Sequence, residues 1–226
     1  SGIGGETRAP KVECYLHRLH FPYAIGYGLT ETAPLSCNAC VGKAKVGSSG
    51  VPAYGVTVRL ANVVPLNDEG EIVAKGRNVM MGYFKDTDRT AKAIDKNGWF
   101  HTGDLAAMDA KGCFYIRGRL NNVILGATGE NIYPEEIEFV INSYPGVSES
   151  LDVERGKTLL GLVHMDDDAR HGSLADITKA ILEYVNKRVN KQSTLARIEL
   201  LTEPFNKTAT QKIRRFLYMD MASSRA

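Results

Sequence analysis

With 226 residues, 43% hydrophobic and 24% charged, the chain has room for one or two domains with a sizeable core and the make-up of an ordinary globular protein. A net charge of +2 without a basic run gives no footing for a nucleic-acid partner, and no apolar run approaches the ~20 residues that span a bilayer. Four unevenly spaced cysteines fall short of a disulfide framework and point to a reducing, cytoplasmic compartment.

The start, Ser1-Gly2-Ile3-Gly4-Gly5, has neither an initiator methionine nor a signal-peptide pattern, so a fragment of a longer chain is expected. Residues 1–9 read as a Gly-rich loop. Pro10 then opens a helix with Val12, Leu16 and Leu19 on one face. Cys14, His17 and His20 recur every three residues, with Cys37 and Cys40 downstream. Two half-sites of that kind could supply zinc ligands; the plainer alternative is a buried cysteine, two surface histidines and a loop with two small thiols. Phe21 to Gly26 is a short strand that runs into Gly26-Tyr27-Gly28-Leu29-Thr30-Glu31-Thr32. The two glycines let the backbone pass close to a ligand, and they bracket a ring that could stack on a base. Thr30 and Glu31 add the hard oxygens that magnesium prefers.

From about residue 35 to 117 the pattern is mostly strand: Val56, Val58 and Leu60 alternate, Asn67 to Gly70 turns, and Glu71 to Ala74 returns. Short strands with close turns predict a small barrel or twisted sheet. The Met80-Met81 pair reads as packing, and Asp86 to Ile94 as a surface helix capped by Asp86 or Thr87.

The stretch Gly98 to Glu138 organises the rest. It holds a turn at Asn97-Gly98, an acid at Asp104 after Thr-Gly, a second turn at Asp109 to Gly112, and a strand through Phe114, Tyr115 and Ile116. Asp104 can accept two hydrogen bonds side by side, which suits the vicinal hydroxyls of a ribose; its alternative is a turn cap. Arg119 is a fixed, planar cation suited to phosphate or ribose oxygens, or to a surface ion pair. After Asn121-Asn122, alternation gives way to a helix from Pro134 with Ile137, Val140, Ile141 and Tyr144 on one face, so two structural units are expected to meet there. Strands at 147–153 and 159–165 follow, then a helix from Ser173 with Leu174, Ile177, Ile181, Val185 and Val189 in one stripe, then a strand from Arg197 to Leu201. Lys212 sits in the polar run Thr208-Ala209-Thr210-Gln211, just ahead of the anchoring Ile213 and Phe216.

Trp99 to Asp104, Gly118-Arg119 and Gly129 to Glu138, in that order in one chain, resemble the adenylate-forming enzymes: acyl-CoA synthetases, luciferases and peptide-synthetase adenylation domains. Gly129-Glu130-Asn131-Ile132-Tyr133-Pro134-Glu135-Glu136-Ile137-Glu138 looks most like the long-chain fatty acid CoA ligase branch. The resemblance implies an ATP-dependent, AMP-forming acid–thiol ligase using ATP, Mg2+ and coenzyme A, with a fatty acid or other carboxylate as substrate. Peripheral membrane contact and oligomeric state stay open. By the same resemblance Tyr27 and Gly28 lie at adenine, Gly5 and Glu6 form an adenine-contacting loop, and Thr30 meets phosphates. Glu31 then holds magnesium, Asp104 and Arg119 hold the nucleotide, Gly129 lines the path of coenzyme A, Asn121 is a hinge, and Lys212 orients the reacting carboxylate and α-phosphate. Three positions depart from the usual pattern: Asn121 stands at the hinge where Asp or Lys is common, Gln211 where a glycine often precedes the lysine, and Asn131 where an arginine is frequent.

The expected architecture is α+β. Residues 1–34 end an α/β AMP-binding subdomain, 35–119 form a β-rich, barrel-like subdomain, and 120–226 form a small, mobile α+β lid. The Ser/Thr/Gly-rich phosphate loop expected upstream is missing, and Gly42 to Gly50 lacks the P-loop order. A carboxy-terminal fragment, inactive alone in ATP–pyrophosphate exchange with fatty acids, is therefore expected. A carrier-protein thiol as acceptor and a non-catalytic nucleotide- or acyl-binding module remain the alternatives.

Overall fold

The computed structural model describes residues 2–4, 10–64, 68–126, 129–156, 158–169, 172–208 and 211–219. The chain divides into two compact units, Ser1–Asn121 and Asn122–Ala226.

In the first unit, β1 (Gly2–Gly4), β2 (Ala24–Tyr27), β3 (Cys37–Ala39) and β4 (Val51–Pro52) form one sheet in sequence order, with β1 and β2 parallel. A second sheet is an antiparallel meander of β5 (Val56–Val64), β6 (Glu69–Gly76), β7 (Phe100–Met108) and β8 (Phe114–Arg119). The expected barrel-like closure does not occur. Four strands are about half of what a side-chain-filled barrel needs, and Phe114 of β8 instead exchanges backbone hydrogen bonds with the Ser49–Gly50 segment. The same segment passes close to β3, which requires the glycine at Gly50: a Cβ there would lie 2.1 Å from the Asn38 carbonyl oxygen. Cys37, Val58, Ile72, Ala74, Ala106 and Phe114 form the core between the sheets, with Tyr27 packed on its edge.

Helix α1 (Pro10–Arg18) opens at Pro10 as expected, but its inward face is different. Val12 and Leu19 are exposed, while Glu13 is buried and accepts the Gly47 amide hydrogen. Of the expected apolar stripe Leu16 packs inward, against Tyr23, Ile25 and Ala39, and the buried Glu13 takes the remaining inward position by accepting from a backbone amide. Helix α2 (Thr87–Ala93) is capped by Asp86, which accepts from the Arg89 amide. Met81 is fully exposed and does not pack.

The second unit has a short hairpin, β9 (Ile124–Leu125) with β10 (Asn131–Ile132), and a sheet of β11 (Val147–Arg155), β12 (Thr158–Met165) and β13 (Leu195–Leu201). Helices α3 (Pro134–Asn142) and α4 (Leu174–Asn186) cover one face with Ile137, Ile141, Ile181 and Val185, as their periodicity predicts, although Leu174 is exposed. The other face carries Leu151, Val153, Leu160 and Leu162 against Phe205 and Tyr218, the latter in α5 (Phe216–Met219). No described helix is long and apolar enough to cross a membrane.

Candidate functional site

Strand pairing builds the site in the first unit. Asp104 on β7 faces Arg119 on β8 as a cross-strand pair, and Arg119 Nε lies 2.9 Å from Asp104 Oδ1. Tyr27, at the end of β2 in the other sheet, donates its hydroxyl hydrogen to Asp104 Oδ2 at 2.6 Å. Burial, reinforced by the neighbouring carboxylate, holds the Tyr27 phenol far above its usual range, so it stays a donor. Asp104 is itself buried and is therefore more than a turn cap. Arg119 also donates to the Thr102 carbonyl, and the Thr102 hydroxyl accepts from the Asp104 amide.

Glu71 is a residue that pattern reading missed. It is buried on β6, accepts the Gly103 amide hydrogen on Oε1, and pairs with His101 Nδ1 on Oε2 at 2.8 Å. It thereby fixes the Thr102–Gly103–Asp104 stretch of β7, with Gly103 at φ +70. The signal was present: Glu69, Glu71 and Val73 share one face of a strand, and acids in line with a buried valine need partners.

At Gly28 a Cβ would sit 1.7 Å from the Pro34 carbonyl oxygen, so the chain's own backbone already demands the glycine. Pro34 is brought there by a one-turn 3-10 helix at Thr30–Thr32. Thr30 is exposed, and Glu31 is half-buried, with Oε1 accepting from the Tyr83 hydroxyl at 3.0 Å. Arg89 lies over the Tyr83 ring at 3.9 Å and steadies it. Glu31 Oε2 has no protein partner among the described residues. A steered carboxylate with an open oxygen beside a hydroxyl fits a magnesium ion that keeps most of its ligands from water and phosphate.

The zinc alternative finds no support. Cys37 lies in the apolar core with its thiol pushed up to about 12 by burial, while Cys14 and Cys40 are exposed, contrary to the buried Cys14 expected. No three His, Cys, Asp or Glu side chains converge on a metal position among the described residues. Gly5 and Glu6 lie outside the described residues.

In the second unit, Lys212 is exposed on a tight loop. The Thr208 amide donates to the Lys212 carbonyl, Lys207 bridges Ile213, and Gln211 takes the left-handed conformation at φ +63, where glycine is the easier residue. Gly129 is also left-handed at φ +86, with no described protein neighbour within 4 Å of a built Cβ, so its backbone conformation by itself favours the glycine. Asn121 is exposed at the boundary between the two units.

Residues 2–84 match the family described as AMP-binding enzyme. The AMP-binding match is joined by relatives across most of the chain. A feruloyl-CoA synthase of Amycolatopsis is 41% identical over 64% of this chain and 30% of its own length. A 2-succinylbenzoate–CoA ligase of Bacillus cereus (strain Q1) is 40% identical over 73% and 33%, and that of Bacillus cytotoxicus is 33% identical over 95% and 44%. The chain thus spans less than half the length of these curated relatives. Among solved structures, o-succinylbenzoate CoA synthetase from Bacillus subtilis with its acyl-adenylate intermediate superposes with a TM-score of 0.82 at 28% identity, covering 97% of this chain and 45% of that one. The same enzyme with ATP and magnesium gives 0.80 at 27%, over 95% and 45%. These relatives overturn the long-chain fatty acid branch expected from Gly129 to Glu138: the similarity is to ligases of other carboxylic acids. The expectation of a carboxy-terminal fragment of a fatty acid ligase goes with it, since the matches measure a shared stretch and not where this protein begins or ends.

Proposed function

We propose that the protein is an ATP-dependent carboxylate–CoA ligase that first forms an acyl-adenylate, releasing pyrophosphate, and then a thioester, releasing AMP. The observation that carries this reading is the Tyr27–Asp104–Arg119 constellation, within a chain 41% identical to a feruloyl-CoA synthase over 150 residues. Ferulate and 2-succinylbenzoate both bear an aromatic ring, and an aryl-bearing carboxylate is the substrate class we assign.

Asp104 is the ribose acid. A carboxylate oxygen accepts two hydrogen bonds, so a ribose hydroxyl can join Tyr27 on Oδ2 or take its place. Arg119 keeps that acid aimed, and Tyr27 and Gly28 border the base. Glu31, with Thr30, would hold Mg2+, which when bound neutralises charge on the triphosphate. Lys212 supplies a mobile ammonium for the charge that develops as two anions react, Gly129 lines the coenzyme A path, and Asn121 is the pivot between the units.

ATP–pyrophosphate exchange by the protein, with ferulate, 2-succinylbenzoate and palmitate compared, tests the reading. Exchange that depends on an aryl carboxylate and falls at least about 100-fold in Lys212→Ala is expected. Nucleotide binding without exchange for any acid would replace the ligase with a nucleotide-binding module.

A further inference from the structure

The motif Pro134-Glu135-Glu136-Ile137-Glu138 and the double arginine Arg214-Arg215 have no part in the chemistry above, yet the fold joins them. Arg215 Nη2 donates to Glu138 Oε1 at 2.6 Å, and Arg215 Nη1 donates to the Asp152 carbonyl at 2.7 Å. Glu138 Oε1 also accepts the Asp152 amide hydrogen at 2.8 Å. Both ends of the ion pair are largely buried, with side chains 17% and 14% exposed. Further acids surround it: the Asp152 carboxyl group is buried with both oxygens lacking hydrogen-bond partners among the described residues, and Glu135 Oε1 accepts from Asn122 at 2.6 Å. Burial pushes Glu138 and Asp152 upward, as expected where Arg215 alone answers several neighbouring acids.

Arg215 is three residues from Lys212, and three residues reach at most about 10 Å. The backbone between them is one side of a narrow ladder: Arg214 N bonds Asn206 O, Lys207 bridges Ile213, and Thr208 N bonds Lys212 O. The other side of that ladder is tied down as well, because Lys207 pairs with Glu149 on β11. Underneath, Phe205 and Tyr218 pack edge to face, and the Tyr218 hydroxyl accepts from the Asn206 amide. The lysine loop therefore stands on a base fastened by two ion pairs, one to α3 and one to β11.

We propose that Arg215, gripped by Glu138 and the Asp152 carbonyl, is a positioning residue that fixes the loop presenting Lys212. The inference rests on the reading above for what Lys212 does, but not for how it is held. It assigns the Glu138 end of the Pro134–Glu138 motif a task at the lysine loop.

The test is amide hydrogen exchange on the whole chain, read at Thr208 and Lys212 in the loop and at Leu162 and Val163 in β12. Arg215→Met keeps the stem and removes the charge; Glu138→Leu removes its partner. Each is expected to speed exchange at the loop amides at least tenfold more than at β12, and Arg215→Lys to restore part of the protection. In ATP–pyrophosphate exchange, Arg215→Met should lower kcat with the KM for ATP unchanged. Loop amides as protected as in the wild type, or protection lost equally in β12, would overturn the proposal. Lys212→Ala separates the two readings: it should leave loop exchange unaltered. Full adenylation activity in that variant would remove the role given to Lys212 while the exchange data still decide how the loop is held.

Discussion

Tyr27 and Asp104 are 77 residues apart and joined at 2.6 Å, the phenol of one sheet donating to the carboxylate of the other. The bond ties the two sheets of the first unit together at the point where the nucleotide is proposed to sit. Tyr27→Phe keeps the ring and deletes the donor. A hydrogen bond to a charged acceptor contributes about 1.5–3 kcal/mol, so urea unfolding followed by the fluorescence of Trp99, which lies in that unit, should show a loss of about that size. An unchanged midpoint would mean that the bond contributes nothing to the fold.

Gly28 offers a sharper steric test. Its built Cβ overlaps the Pro34 carbonyl at 1.7 Å, a contact with backbone that no rotamer change relieves. Gly28→Ala should cost about 3 kcal/mol or more, and the damage should show in thermal unfolding of the chain without any nucleotide present. If Gly28→Ala melted like the wild type and lost only nucleotide affinity, the glycine would serve a ligand after all.

The second unit should lose stability as pH rises. Burial, first in each case, pushes Asp152 and Glu138 upward; the two face each other, Glu135 stands beside them, and Arg215, paired with Glu138, only partly compensates, so the coupled group keeps a proton that the unfolded chain releases at about 4. The stabilisation from that retained proton is therefore complete below about pH 4 and lost as pH climbs through the raised titration of the pair, with a slope on the order of 1 kcal/mol per pH unit. Hydrogen exchange at Leu162 and Val163 as a function of pH, corrected for intrinsic rates, measures it. Asp152→Asn should flatten the dependence. Asp109 in the first unit behaves oppositely: Lys45, bonded at 2.5 Å, holds it below the usual carboxylate range, and that stabilisation is lost as pH falls.

Thiol labelling checks the cysteine assignment. Cys14 and Cys40 are exposed and Cys37 and Cys113 buried, so a neutral-pH reagent should modify two thiols quickly and the other two only on unfolding. Protection of Cys14 and Cys40 that a chelator abolishes would instead revive the zinc reading.

Local periodicity made much of the second unit legible. Ile137 and Ile141 in α3, and Ile181 and Val185 in α4, face the core because four-residue spacing on a helix leaves them no other common side. The same reasoning failed at α1, where Glu13 is drawn inward by the Gly47 amide, a partner 34 residues away that no window of helical length contains. Barrel closure failed for a related reason: alternation shows that β5 to β8 are strands, but not whether the last finds the first, and β8 pairs with the Gly50 segment instead. At the candidate site, Asp104 and Arg119 stood out as residue types beside turns. Their pairing across β7 and β8, the hydroxyl of Tyr27 and the support from Glu71 all depend on register between distant strands. The fatty acid branch was misjudged because Gly129 to Glu138, which suggested it, lies in a hairpin and helix where Glu138 holds Arg215 and Glu135 holds Asn122, contacts that build the second unit and carry no information about the acid.

Equilibrium binding of AMP to wild-type protein and to Asp104→Asn, followed by titration calorimetry, bears most directly on the nucleotide site. One AMP site is expected in the wild type and at least tenfold weaker binding in the variant, about 1.4 kcal/mol, with circular dichroism unchanged. Equal affinity in the two proteins, or no AMP binding by the wild type, would contradict the proposed site.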